Sequence, residues 1–116
     1  LLKQSTDVGQ ISEAVDLHIL QIKNLILLYR DTKDQTEKES FSKSLANART
    51  VLSSYLRKQE GILKLRLSYS STSKDSLRNY IKVLINGYTF LLDLKIPEAQ
   101  EKLDYYSQLL DQLSEE

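Results

Sequence analysis

The chain contains no cysteine and no methionine, and only three glycines and one proline occur among its 116 residues. The lack of cysteine excludes disulfide bonds, a thiolate nucleophile and a cysteine-ligated zinc site. Few glycines and prolines leave few turns, which predicts a small number of long elements. No run reaches the roughly 18 apolar residues of a membrane-spanning helix, and no signal peptide is recognisable.

The chain also has no net charge, because sixteen basic residues balance sixteen acidic ones. This balance argues against a domain that binds nucleic acid through its overall charge. With 41% hydrophobic residues, the composition is that of a globular protein, and the length fits a single domain over residues 1–116. Since the sequence opens with Leu1 and has no methionine, we expect it to be a piece excised from a longer protein.

The first segment has the apolar spacing of a helix. Its inward stripe consists of Val8, Ile11, Val15, His18, Ile22, Leu25 and Tyr29. Alternating steps of three and four residues predict a helix from about Lys3 to Arg30. The polar run 31–35 predicts a tight connection, after which Thr36 and Glu39 could form a capping box for the next helix.

Three further helices follow from the same periodicity. The second stripe consists of Phe41, Leu45, Ala48, Leu52, Tyr55 and Ile62, the third of Leu77, Ile81, Leu84, Tyr88 and Leu91, and the fourth of Ala99, Leu103, Tyr106, Leu110 and Leu113. The second helix should reach about Leu67 and be followed by a loop at Ser68–Ser73, and the third should start near Ser73 or Asp75. Pro97 ends the third helix or follows its end, and it suits the first position of a fourth helix. The sequence thus predicts an all-α fold, an antiparallel four-helix bundle with two long helices followed by two shorter ones.

No pattern of catalytic residues is apparent. The acidic residues lie mainly in turns and on outward positions, and no nucleophile elbow, phosphate-binding loop or zinc-protease motif occurs. We therefore expect no enzyme activity and no cofactor. His18 is either a core residue with a hydrogen-bond partner or a pH-sensing switch, and the absence of a second histidine or a cysteine argues against a metal site.

The first helix also carries apolar residues outside its inward stripe. Leu20 and Leu27 are seven residues apart and lie on one line of the helix, with Leu17 and Leu28 also away from the stripe. One interpretation is a helix that packs on two neighbours and exposes a few leucines. The other is a homodimer interface, with Leu20 and Leu27 at its centre, because an apolar outer face indicates a second contact.

Two tyrosines and two arginines are candidates for a ligand site. Tyr29 and Tyr88 lie near the ends of their helices, Arg30 is next to Tyr29, and Arg49 follows on the second helix. If they meet at one end of the bundle, the arginines can offer paired donors to a carboxylate. The alternatives are that the tyrosines fill core layers and that each arginine is simply solvated.

The residues around the first turn resemble a known class of domain. The stretches "ISEAVDLHILQIKNL" and "LLYRDTKDQTEKESF", followed by "SKSLANARTVLSSYL", are similar to the extracytoplasmic four-helix-bundle sensor domains of bacterial chemoreceptors and sensor histidine kinases. The resemblance covers the first half of the chain by sequence and the rest only by pattern. It implies a periplasmic domain of an inner-membrane protein, flanked by membrane spans, that dimerises and transmits signals through small helix shifts.

The resemblance also implies a ligand. A small anionic molecule, such as an organic acid or amino acid, would bind near the membrane-distal end, where Tyr29, Arg30, Arg49 and Tyr88 are the matching positions. A competing resemblance is carried by "NGYTFLLDLKIPEAQEKLDYY", in which Gly87, Ala99 and Tyr106 have the spacing of one tetratricopeptide unit. This alternative implies a helical scaffold that binds other proteins.

Overall fold

The computed structural model describes residues 2–69 and 72–114, and all regular secondary structure in those ranges is helical. The helices are α1 (Leu2–Asp31), α2 (Gln35–Leu67), α3 (Lys74–Asp93) and α4 (Glu98–Ser114). Two helices of 30 and 33 residues thus precede two of 20 and 17 residues. The prediction of four helices, two long and then two shorter, is confirmed.

The helix starts are fixed by short polar side chains. The Asp34 carboxylate accepts a hydrogen bond from the backbone N–H of Glu37 at 3.3 Å and caps α2. The prediction that Thr36 caps this helix is therefore wrong by two residues, since a carboxylate both accepts the bond and complements the positive end of the helix. The hydroxyl of Ser73 accepts from the N–H of Ser76 and caps α3, at one of the two predicted starts.

The connection between α3 and α4 is a tight turn around Lys95. The N–H of Ile96 bonds to the carbonyl of Leu91, and the N–H of Lys95 bonds to the carbonyl of Leu92. This pair of bonds is the Schellman motif, which requires a left-handed residue that is usually glycine. Here Lys95 takes that role with φ 66°. Pro97 directly precedes α4, so it belongs to the turn and not to either helix.

Helix α3 lies at the centre of the packing. It contacts each of the other three helices, and α1 and α2 also pack against each other. Within the described residues, no Cα atom of α4 lies within 8 Å of α1 or α2. Helix α4 therefore rests on α3, and its contacts to α2 are made by side chains.

The core follows the predicted stripes only in part. On α2 the buried apolar positions after Leu52 are Leu56 and Leu63. The predicted Tyr55 and Ile62 are only partly buried, and Tyr29 of the first stripe is exposed. The most deeply buried side chains of the core are Val15, Ile22, Leu52, Leu56, Leu63, Tyr80, Ile81, Leu84 and Leu91. Helix α2 also passes through the exposed Gly61 without interruption, as predicted. Of the predicted loop, Ser68 and Ser73 lie outside the helices, whereas Ser70 and Ser71 fall outside the described residues.

Candidate functional site

The face of α1 that points away from the core is apolar and uncovered. Its leucines are Leu17, Leu20, Leu27 and Leu28, with exposed fractions of 66%, 54%, 45% and 48%. On the opposite face, Val15 and Ile22 are fully buried against α2 and α3. Because four large apolar side chains on one face of the helix form a patch and not scattered exposures, this outer leucine face is a candidate interaction surface.

The outer leucine face extends beyond α3. The ammonium group of Lys23 lies 5.9 Å from the ring centroid of Phe90, three residues before α3 ends at Asp93. From Lys23, α1 continues for eight residues to Asp31, a rise of about 12 Å. Two helices alone cannot enclose a core, so the apolar residues of this part of the α1–α2 hairpin are only partly covered.

A second candidate site is a buried polar cluster between α2, α3 and α4. At its centre is Glu60, which is 8% exposed. One carboxylate oxygen, Oε2, accepts the hydroxyl of Tyr88 at 2.5 Å. The other, Oε1, accepts the hydroxyl of Tyr106 at 2.6 Å and the ammonium of Lys102 at 2.9 Å. These four residues, the Glu60 cluster, connect α4 to α2, whose backbones do not approach each other closely.

The electrostatics of the cluster favour an ionised Glu60. Burial alone raises the pKa of Glu60, but the hydrogen bonds from Tyr106, Tyr88 and Lys102, together with the charge of Lys102, outweigh it and hold this pKa below its ordinary value. Burial and the adjacent carboxylate raise the pKa of both Tyr88 and Tyr106. Since three donors from α3 and α4 occupy a carboxylate on α2, the cluster holds these three helices together.

The cluster borders an open cleft between α2 and α4. The cleft has a volume of about 360 Å³ and is lined by Glu60, Lys64, Glu101, Lys102, Tyr105 and Tyr106. Its walls carry both acidic and basic side chains. The ring of Tyr105 lies edge-on to that of Tyr106, with the ring centroids 5.0 Å apart. The side chain of Lys102 is 41% exposed, so the Glu60 cluster is partly open to solvent at this cleft.

The structure does not bring the four predicted ligand-binding residues together. Tyr29 is 38% exposed, and the Lys38 ammonium lies 4.9 Å from its ring centroid. Tyr88 is 4% exposed and bonds to Glu60, which is 22 residues beyond Lys38 and thus about 33 Å farther along α2. The expectation that Tyr88 joins Tyr29 at one end is therefore wrong, because the shorter α3 does not reach the α1–α2 turn.

The two predicted arginines are also apart. Arg30 extends into solvent with 70% of its side chain exposed, and its Nε lies 3.6 Å from the carboxylate of Asp31. Arg49 is half-buried on α2, eleven residues or about 16 Å beyond Lys38. Only Tyr29 and Arg30 lie together, with Lys38 beside them, and a role in ligand binding for any of the four stays a prediction.

The single histidine lies between α1 and α2. The ring of His18 is half-buried and packs on that of Tyr55 with centroids 5.4 Å apart. It borders a cleft of about 320 Å³ that is also lined by Gln21, Leu25, Ser44, Asn47, Ala48 and Val51. Burial raises the pKa of Tyr55. The described residues contain no group of three or more histidine, cysteine or acidic side chains arranged to hold a metal ion.

Sequence reasoning missed the Glu60 cluster, although part of its signal was present. Tyr88 and Tyr106 were placed on inward stripes, where a buried hydroxyl needs a partner. That partner, Glu60, follows the buried Leu56 by four residues and precedes the buried Leu63 by three, so it lies on the apolar side of α2. A charged residue at such a position indicates a buried pair.

Comparison with known proteins found no relative of this chain. None of the helices in the described parts of the chain is long and apolar enough to span a membrane. No family model, no curated protein and no solved structure matches the chain.

Proposed function

We propose that this chain is a helical protein–protein interaction domain that self-associates through the outer leucine face of α1. The single observation that carries the proposal is the group of four large leucines, each 45% or more exposed, on the face of α1 opposite its core residues. Removing apolar surface from water is the main driving force of protein association. Weak association is expected, because the patch occupies one side of one helix.

The arrangement of the helices supports this role. We propose that the fold is an antiparallel four-helix bundle, in which α3 and α4 cover only part of the α1–α2 hairpin. The contact of Arg78, near the start of α3, with the carbonyl of Leu113, near the end of α4, fits antiparallel packing of that pair. In such a bundle the outer face of α1 has no neighbour within the chain, so a second molecule is needed to cover it.

The proposal predicts that charge on the outer leucine face prevents association. The variant Leu20→Lys/Leu27→Lys should lose dimer formation in sedimentation equilibrium, because both ammonium groups would have to be desolvated at the interface. The free energy of unfolding of the single chain should change by less than about 0.5 kcal/mol, since both positions face solvent.

The matched control is Leu65→Lys on α2. Leu65 is 61% exposed, slightly more than Leu20 at 54%, but lies on another helix. This variant should dimerise like the wild-type chain. Equal loss in both variants would mean that general surface hydrophobicity, and not the α1 face, drives association. Unchanged dimerisation of the double variant would exclude this face as the interface.

The resemblance to sensor domains supports a second proposal, a ligand-binding domain of a bacterial transmembrane chemoreceptor or sensor kinase, located in the periplasm. The observation that favours it is the end of α1, where the ammonium of the half-buried Lys38 lies 4.9 Å from the ring centroid of Tyr29 and the next residue, Arg30, is exposed. Cations and a hydroxyl suit a small anionic molecule such as an organic acid or amino acid. Tyr88 takes no part in this site.

A thermal-shift screen of organic acids and amino acids tests the second proposal. We expect a stabilising compound whose effect is reduced by Arg30→Ala, because the guanidinium would pair with its carboxylate. Arg49→Ala should have a smaller effect, since Arg49 lies farther along α2. Stabilisation that survives both substitutions, or the absence of any stabilising compound, would contradict a ligand site at the end of α1.

A further inference from the structure

The outer leucine face has the residue spacing of a coiled-coil seam. Leu17, Leu20, Asn24 and Leu27 follow one another at intervals of three, four and three residues. These intervals are those of the a and d positions that interlock when two helices pack side by side. All four side chains are exposed on α1. A second helix with the same seam is therefore the occupant that fits this face.

We infer that the seam packs against the same seam of a second copy of the chain, and that the two α1 helices run antiparallel. The inference rests on the proposed self-association and adds the orientation of the partner. It pairs Leu17 with Leu27 of the second copy and Leu20 with Asn24 of the second copy. The two-fold axis then crosses the seam at the level of position 22, midway between Leu20 and Asn24.

The charges that flank the seam favour this orientation. Asp16, Lys23 and Arg30 occupy the g positions, which lie beside the seam and set the orientation of paired helices. Antiparallel pairing brings Asp16 beside Arg30 of the second copy, and the same contact occurs a second time by symmetry. Both side chains are exposed in the single chain. The Oδ1 atom of Asp16 accepts a hydrogen bond from the side-chain amide of Asn86 on α3 at 3.2 Å, and the Nε atom of Arg30 lies 3.6 Å from Asp31. The pairing therefore uses Oδ2 of Asp16 and the terminal nitrogens of Arg30.

The remaining flanking residues are compatible with antiparallel pairing. Lys23 would lie near Lys23 of the second copy, but its ammonium lies over the ring of Phe90 on α3, 5.9 Å from the ring centroid. On the opposite flank, Leu28 would lie beside Ala14 of the second copy, which extends the apolar contact. Parallel pairing would instead place Leu28 beside Lys23, and would leave Asp16 and Arg30 without opposite charges.

One feature of the seam suits parallel pairing. Asn24 would then face Asn24 of the second copy, an arrangement that fixes register in parallel coiled coils. A parallel dimer would gain this single amide pair, whereas the antiparallel dimer gains two Asp16–Arg30 pairs and the Leu28–Ala14 contacts. The larger number of complementary contacts decides for antiparallel pairing.

Because the chain has no cysteine, single thiols report the orientation directly. Leu17→Cys and Leu27→Cys variants, one of them carrying a mass tag, are oxidised with oxidised glutathione separately and after mixing. Antiparallel pairing predicts that neither variant alone forms disulfide-linked dimers. The mixture should form a linked dimer that joins position 17 of one copy to position 27 of the other. A second readout is the charge exchange Asp16→Arg/Arg30→Asp, which should restore the association that Asp16→Arg alone weakens.

Each outcome decides between the two proposals. Disulfides between like variants, 17 with 17 and 27 with 27, would overturn the antiparallel orientation and leave the interaction surface intact. A chain that dimerises without any cross-linking at either position would overturn the seam as the contact. A chain that stays monomeric would overturn both the proposed function and the orientation.

Discussion

Replacing Glu60 with alanine is expected to lower the free energy of unfolding by about 3 kcal/mol at neutral pH. The substitution leaves the buried hydroxyls of Tyr88 and Tyr106 without their acceptor and removes the partner of Lys102. A buried donor without an acceptor costs about 1–3 kcal/mol. Lys102 contributes less, because its side chain is 41% exposed and can return to water. Urea unfolding followed by circular dichroism measures the change.

Glu98 provides the matched control for Glu60. Its carboxylate lies 3.0 Å from the guanidinium of Arg57, much as Glu60 lies 2.9 Å from Lys102, but 69% of the Glu98 side chain is exposed. Exposed ion pairs contribute at most about 1 kcal/mol. Glu98→Ala should therefore have a small effect, and equal effects of the two substitutions would contradict a special role of the buried cluster.

The contribution of Glu60 should depend on pH in one direction. Its pKa in the folded chain lies below the ordinary value, which is about 4.3. A depressed folded pKa stabilises the fold at pH values above the unfolded pKa, and this stabilisation is lost as the pH falls through the folded pKa. The stability difference between wild type and Glu60→Ala should thus be constant near neutral pH and shrink below about pH 4. A difference that grows on acidification would contradict this assignment.

The second large effect is expected where α2 and α3 approach most closely. A Cβ atom added at Gly87 would lie 2.7 Å from Cδ2 and 2.9 Å from Cδ1 of Leu56. Leu56 is fully buried, so its side chain cannot swing away freely. Overpacking of this kind costs about 1–3 kcal/mol, against a gain of about 1 kcal/mol in helix propensity. We expect Gly87→Ala to destabilise the chain in urea unfolding.

The double-mutant cycle with Leu56→Ala isolates this contact. Leu56→Ala alone should cost about 2–5 kcal/mol through the cavity that it leaves. In that background the clash is gone, so Gly87→Ala should become neutral or stabilising by up to about 1 kcal/mol. A coupling energy close to zero would contradict the close approach of the two helices at this point.

Gly61 is the control for the glycine substitution. It also lies inside a helix, but a Cβ atom there would meet no atom within 4 Å. Gly61→Ala should therefore stabilise the chain by about 1 kcal/mol, which is the helix propensity alone. Opposite signs for the two glycines would separate the packing effect from the backbone effect.

The helices could be predicted because their information is local. The three- and four-residue steps among Val15, Ile22 and their neighbours define α1, and Ser73 and Pro97 mark helix boundaries without reference to the rest of the chain. The cap of α2 was misplaced because Asp34 and Thr36 both have side chains that can accept the capping bond. Only the observed backbone decides between them.

The polar sites could be predicted only in part, because a stripe defines the face of a helix and not the level at which it meets another helix. The inward position of Tyr88 was correct, but α3 meets α2 at Leu56 and Glu60 and not near Tyr29. That level depends on where α3 starts and on where a residue without a side chain, such as Gly87, lets the two helices approach closely. The outer leucine face needed no such information, since the excess of leucines on one helix indicates it directly.

Sedimentation equilibrium of the wild-type chain shows whether the molecule self-associates. The monomer mass is 13.4 kDa, and weak association with a free energy near −4 kcal/mol becomes populated at about 1 mM. The proposed interaction through α1 predicts that the weight-average mass rises towards twice the monomer value as the concentration approaches this range. It also predicts that Leu20→Lys/Leu27→Lys abolishes the rise. A wild-type chain that remains at the monomer mass throughout would contradict the proposed self-association.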